Sequence, residues 1–180
     1  LEFGKVDGVT QIDGITTSVT GGATLASGIT WNGSTDNDWN TATNWTPERV
    51  PTAADAYTII PVGLTNYPTF GSAVDINSVT MANGSSLIST STFSGSITYT
   101  RNLATTNWYL VSSPVSGQDI DTFVSAEGLA SGSGNNNMGL AAYDNSSSAW
   151  SYYQSGASGS GDFALGSGRS IKLATAGDIS

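Results

Sequence analysis

A chain of 180 residues has room for one domain with a buried core, or a small domain plus a stalk. It carries 14 acidic against 5 basic residues, a net charge of −9, with no His and no Cys. These absences exclude a His-based triad, a Cys nucleophile, a disulfide framework and a Cys/His metal site built from this chain, and the negative charge speaks against nucleic-acid partners.

No apolar run approaches the ~18 residues that suggest a membrane span. Charged residues are 11% of the chain, where an ordinary soluble domain has about 25%. Ser and Thr supply 50 residues and Gly another 22.

At the start, Lys5-Val6-Asp7-Gly8-Val9-Thr10 is followed by the near-identical hexad Gln11-Ile12-Asp13-Gly14-Ile15-Thr16. An even period keeps Val6 and Ile12 on one strand face and matches the rung of some β-solenoids. Two copies are too few for a solenoid. Residues 1–27 are therefore expected to form an extended linker or stalk strand ahead of a β-rich module over 28–180.

Beyond the stalk, β-branched and aromatic residues alternate with Ser, Thr and Gly. Strands are predicted over Gly28–Trp31, Ala56–Val62, Val74–Met81, Ser86–Ser91, Gly95–Arg101 and Trp108–Ser112, then Leu140–Tyr143, Ala149–Gln154 and Ser170–Leu173. Turn signals stand at Asn32-Gly33, Asn83-Gly84 and Asp144-Asn145, residues that tolerate positive φ. Trp150-Ser151-Tyr152-Tyr153 reads as the return strand of a hairpin begun at Leu140, with Trp150 and Tyr152 on one face and Tyr153 on the other. One short helix is predicted over Asp119–Glu127, with Ile120, Phe123 and Val124 on one face, acids at its positive end and Gly128 as a stop.

Two segments, 131–137 and 155–161, read as polar surface loops. Gly177-Asp178-Ile179-Ser180 reads as the opening of a strand, and the chain is expected to be part of something longer.

The stretch from Trp31 to Trp45 holds three Trp separated by Asn, Asp, Ser and Thr. Indole rings stack on sugar C–H faces while amides and carboxylates take the hydroxyls. Trp31, Trp39 and Trp45, with Trp150 and Tyr152, are thus carbohydrate-binding candidates; the plainer reading makes them core anchors. Asp36, Asn37 and Asp38 offer oxygens to Ca²⁺, although a six- to eight-oxygen shell needs partners that the sequence does not identify.

Glycoside hydrolysis needs only two carboxylates, yet none of Glu2, Glu48, Glu127 or the eleven Asp stands in a context that would raise its pKa. Glu48-Arg49 is expected to form a surface ion pair. Neither Lys5 nor Lys172 lies in a Ser-x-x-Lys motif. No catalytic residue is assigned, and the chain reads as a non-enzyme. Asn32, Asn44, Asn83 and Asn145 begin Asn-x-Ser/Thr sequons.

The run Trp31-Asn-Gly-Ser-Thr-Asp-Asn-Asp-Trp39, Ala42-Thr-Asn-Trp-Thr-Pro47 and Val50-Pro-Thr-Ala-Ala-Asp55 resembles modules in large secreted and surface proteins of Bacteroidota, particularly flavobacteria. Asn107–Val115 and Gly168–Leu173 are similar to later parts of those modules, so the resemblance spans roughly residues 29–180. It implies export through the type IX secretion system, an extracellular or cell-surface location, and partners among other domains of one long chain. Such modules occur in adhesins and beside polysaccharide-degrading domains, and the resemblance carries over no catalytic residues. The sorting domain of those hosts is not seen in this sequence, which agrees with the expectation of a longer chain. The hexads also resemble linkers in virion proteins of flavobacterial phages.

Together these readings predict an all-β fold, an antiparallel β-sandwich or a short irregular β-solenoid, with one short helix. The expected function is adhesion or display on a secreted bacterial surface protein. Alternatives are a carbohydrate-binding accessory module of a polysaccharide-active enzyme, touching surface polysaccharide, and a phage fibre or decoration protein in a virion. No cofactor is expected beyond possible Ca²⁺ sites at the acidic loop.

Overall fold

The computed structural model describes residues 9–12, 15–18, 28–134 and 136–180. Most of the expected stalk, 1–8, 13–14 and 19–27, lies outside them. Within it, β1 (Val9–Ile12) and β2 (Ile15–Ser18) pair antiparallel, from Val9 opposite Ser18 to Ile12 opposite Ile15. The sequence reads as one extended strand here; instead, Gln11 and Ile12 lie opposite Thr16 and Ile15 of the same hexad, and the end of the first hexad, Val9 and Thr10, lies opposite Ser18 and Thr17.

From Ile29 the backbone winds as a coil. Its strands are β3 (Ile29–Trp31), β4 (Trp45–Thr46), β5 (Thr58–Ile60), β6 (Thr69–Phe70), β7 (Val74–Met81), β8 (Ile88–Ser89) and β9 (Phe93–Tyr99). β3, β5, β7 and β9 run parallel side by side, β4 closes the free edge of β3 antiparallel, and β6 and β8 make a second parallel pair. In register, Ile29, Thr58, Val79 and Ile97 form one column and Ile60, Met81 and Tyr99 the next. Stacked parallel rows of this kind are a short β-solenoid, in which each turn buries its apolar residues against the turn before.

β7 shows how sequence period sets this packing. Val74 and Ile76 point inward, the register with β9 slips between Asp75 and Ser78, and Val79 and Met81 point inward after the slip. Gly95 sits opposite the slip with φ 131°, and a Cβ there would meet the Ile76 carbonyl oxygen at 2.2 Å. A glycine is required for that close approach.

The loop after β4 is tied down by an ion pair, though not the expected one. Arg49 turns away from Glu48 and makes a bidentate pair with the buried carboxylate of Asp55, which also accepts from the Thr52 N–H at 2.8 Å. A buried acid needs such a partner, whereas a neighbouring surface Glu does not.

The second half is antiparallel. β10 (Arg101–Leu103) leads to β11 (Tyr109–Val111), then to the helix α1 (Ile120–Ala126), β12 (Asn137–Asp144), β13 (Ala149–Gln154), β14 (Arg169–Ile171) and β15 (Gly177–Ile179). β11, β14, β12 and β13 form one sheet in that order, and β15 returns to pair with β10. Asp119 caps α1 by accepting from the Thr122 N–H at 2.7 Å, and Ile120 and Phe123 are buried against the sheet's inner face. The Phe123 and Phe163 rings meet edge-on at 5.3 Å.

The fold is thus all-β with one short α-helix among the described residues. It places solenoid stacking in the first half and antiparallel pairing in the second. No described helix is long and apolar enough to cross a membrane.

Candidate functional site

The three N-terminal indoles do not offer a sugar face. Trp31, Trp39 and Trp45 are 0%, 1% and 1% exposed. Trp45 stands edge-on to Trp31 at 4.9 Å and to Trp39 at 4.7 Å, and Trp39 meets Phe70 at 5.6 Å. Their polar edges are satisfied internally: Trp45 Nε1 donates to the Trp39 carbonyl and Trp31 Nε1 to the Asn66 carbonyl, both at 2.8 Å. With no ring face free, they fill the end of the coil.

The intervening acidic loop is organised around Asn44, which is fully buried. Its Oδ1 accepts from the Thr35 and Asp36 N–H groups at 2.9 and 3.1 Å, and its Nδ2 donates to Asp36 Oδ1 at 2.7 Å and the Asp38 carbonyl at 3.0 Å. Asp36 Oδ1 also accepts from the Asp38 N–H, Asp38 Oδ1 accepts from the Asn40 N–H, and Asn37 Nδ2 donates to the Tyr67 carbonyl. These bonds, led by that from Asn44, hold the Asp36 carboxyl below its ordinary pKa.

The hydrogen bonds of Asp36, Asn37 and Asp38 thus serve the loop's own turns. Among the described residues no three His, Cys, Asp or Glu side chains gather around a common point. Burial also removes Asn44 as a glycan acceptor, while Asn83 and Asn145 are exposed.

Trp150 and Tyr152 are a different case. Alternation in β13 carries both to the sheet's outer face, while Tyr153 points inward and its hydroxyl donates to Asp121 Oδ1 at 2.7 Å. Register then fills out that outer face. Leu110, Ser170, Ala141 and Tyr152 form one row across all four strands, and Tyr143 stands opposite Trp150.

Tyr143 and Trp150 pack edge-on at 5.1 Å. Trp108, the residue just ahead of the opposite edge strand, reaches Tyr152 at 6.1 Å. The two rings lean toward each other because the middle of the row is small, and Ala141 and Ser170 lie buried beneath them.

Trp108, Tyr143, Trp150 and Tyr152 remain 45%, 47%, 45% and 38% exposed, with Leu110 more open still. These five large side chains gather the exposed apolar surface of the sheet on one face, which makes it the candidate site. The sequence puts forward Trp150 and Tyr152 as candidates but not Trp108 and Tyr143. The available signal was the shared alternation of β11, β12 and β13, which becomes a surface only once their register is known.

The carboxyls that the fold perturbs are held in the charged form. Asp121 is lowered to about 2 by hydrogen bonds from Ser160 first and Tyr153 second. Asp144 is lowered to about 2 by Ser147 and Ser146 in the β12–β13 turn. Asp55 is lowered chiefly by Arg49. Acids held this way stabilise turns and a helix start; they are poorly suited to donating a proton near neutral pH.

Comparison with known proteins identifies no relative: no family model, no curated protein and no solved structure matches the chain.

Proposed function

We propose that the chain is a non-catalytic binding module of a secreted bacterial cell-surface protein, used for adhesion, and that the aromatic sheet face is the adhesive surface. The ligand class this face fits best is a neutral polysaccharide. One observation carries the reading: four half-exposed aromatic rings and Leu110 share the outer face of an antiparallel sheet. Sugar rings present flat C–H faces to such rings and hydroxyls to the polar groups around them.

The Ser/Thr-rich, weakly charged composition suits an extracellular setting, and the Trp31–Asp55 pattern resembles Bacteroidota surface modules. The same face would serve a module appended to a polysaccharide-active enzyme, so the host protein does not alter the proposed chemistry.

Affinity electrophoresis through gels containing plant or marine polysaccharides tests this. Retardation of the wild-type chain that disappears in Trp108→Ala and Trp150→Ala, with circular dichroism unchanged, supports the proposal. Migration unaffected by every polysaccharide, or equal retardation of the variants, overturns it and leaves a display role.

A further inference from the structure

Between the coil and the antiparallel half lies a cleft of about 480 Å³, within the size range of small-molecule sites. Phe70, Phe93 and Ile97 line it from the coil, and Val111, Phe123 and Leu140 from the other half. Each group extends one of the two apolar cores, so the cleft is an opening between cores.

Its charge is unlike that of the chain. Arg101 and Arg169 both line it, whereas no Asp or Glu side chain does. In a protein with 14 acids and 5 bases, two half-buried arginines lining one largely apolar cleft are a concentrated exception. Neither has an ion-pair partner among the described residues, where the one salt bridge is Arg49–Asp55. A guanidinium left beside apolar walls favours an incoming anion that pairs with it, preferably in bidentate fashion.

We propose that this cleft binds a small anionic amphiphile, an aliphatic chain ending in a carboxylate, with the chain between the two cores and the carboxylate on Arg101 and Arg169. The apolar lining supplies the driving force for the tail, and the charge pattern selects the head. The site uses none of the aromatic-face residues and stands or falls apart from the polysaccharide reading.

Isothermal titration with decanoate and decyltrimethylammonium below their micelle concentrations, and with decanol below its solubility limit, tests it. The proposal expects decanoate to bind one per chain, at least tenfold tighter than the cationic analogue. Arg101→Gln with Arg169→Gln should bring decanoate down to the affinity of decanol, and Val115→Trp, which puts an indole into the cleft, should abolish binding of both.

No saturable decanoate binding, equal binding of the cationic analogue, or unchanged binding in a folded double variant overturns it. If the double variant does not fold, the headgroup comparison on the wild-type chain decides.

Discussion

In the coil, Trp31, Trp39 and Trp45 turn edges and faces toward one another and leave solvent entirely, whereas on the antiparallel sheet Trp108 and Trp150 stay nearly half exposed. The residue type is the same, and the layering is what differs. A solenoid has an inside that every turn must help to fill, and the rest of this coil offers mostly Val, Ile and Thr to fill it. The sheet has two faces, and α1 covers one of them with Ile120 and Phe123. Aromatic richness therefore says little about binding until it is known which face of which layer already has a cover.

The sharpest way to break this contrast is to truncate one ring on each side. Trp45→Ala should cost about 3–5 kcal/mol, the usual toll for a large buried ring, read as a lowered urea midpoint.

Asn44→Ala in the same loop should cost about 3 kcal/mol, because the Thr35 and Asp36 N–H groups lose their acceptor and unpaired polar groups are left behind. Its signature is a lower midpoint with faster amide exchange confined to the loop.

Trp150→Ala on the open face should cost only about 1 kcal/mol, the scale of one cross-strand aromatic pair. A loss matching that of Trp45→Ala would make the face structural and remove the contrast.

The smallest effect is electrostatic and is read at one carboxyl of the second half. Asp121 has a folded-state pKa of about 2, against an ordinary value of 3.8. The unfolded chain therefore binds its proton first as pH falls. Its contribution to stability is complete above about pH 4 and is lost as pH falls through 2. Asp121→Asn should flatten the decline of the melting midpoint across that interval and leave the slope near neutrality unchanged. An identical acid limb in the variant would mean that the bonds from Ser160 and Tyr153 do not form in solution.

Local features of this fold were legible in the sequence, and pairings were not. Val74–Met81 and Ala149–Gln154 are strands over the expected ranges, and the Asp119 start of the helix follows directly from capping chemistry. Gly33 and Gly84 take positive φ at the expected turns, and in the hairpin turn that conformation falls on Ser148. The two-residue strands β4 and β6 carry too little periodicity to be recognised.

The parallel order of β3, β5, β7 and β9 depends on contacts between turns, to which a local pattern is blind. The same holds for the aromatics. Trp39 is buried partly by Phe70, a residue from the next turn, so no window around Trp39 could have declared it inaccessible. Trp108 and Tyr143 reach the candidate site only through register across the four-stranded sheet.

The pairing of β10 with β15 bears on how the chain is made. Each row of the coil is templated by the row before it, so the coil can assemble in order as residues emerge from the ribosome. Arg101–Leu103 must wait for Gly177–Ile179, a long loop to close and hence a slow step. Until then β10 is an open edge, the kind of backbone template on which strands from other molecules add. Production at low temperature, or with a chaperone that shields extended segments, should therefore raise the yield of soluble chain by protecting that interval rather than by stabilising the finished fold.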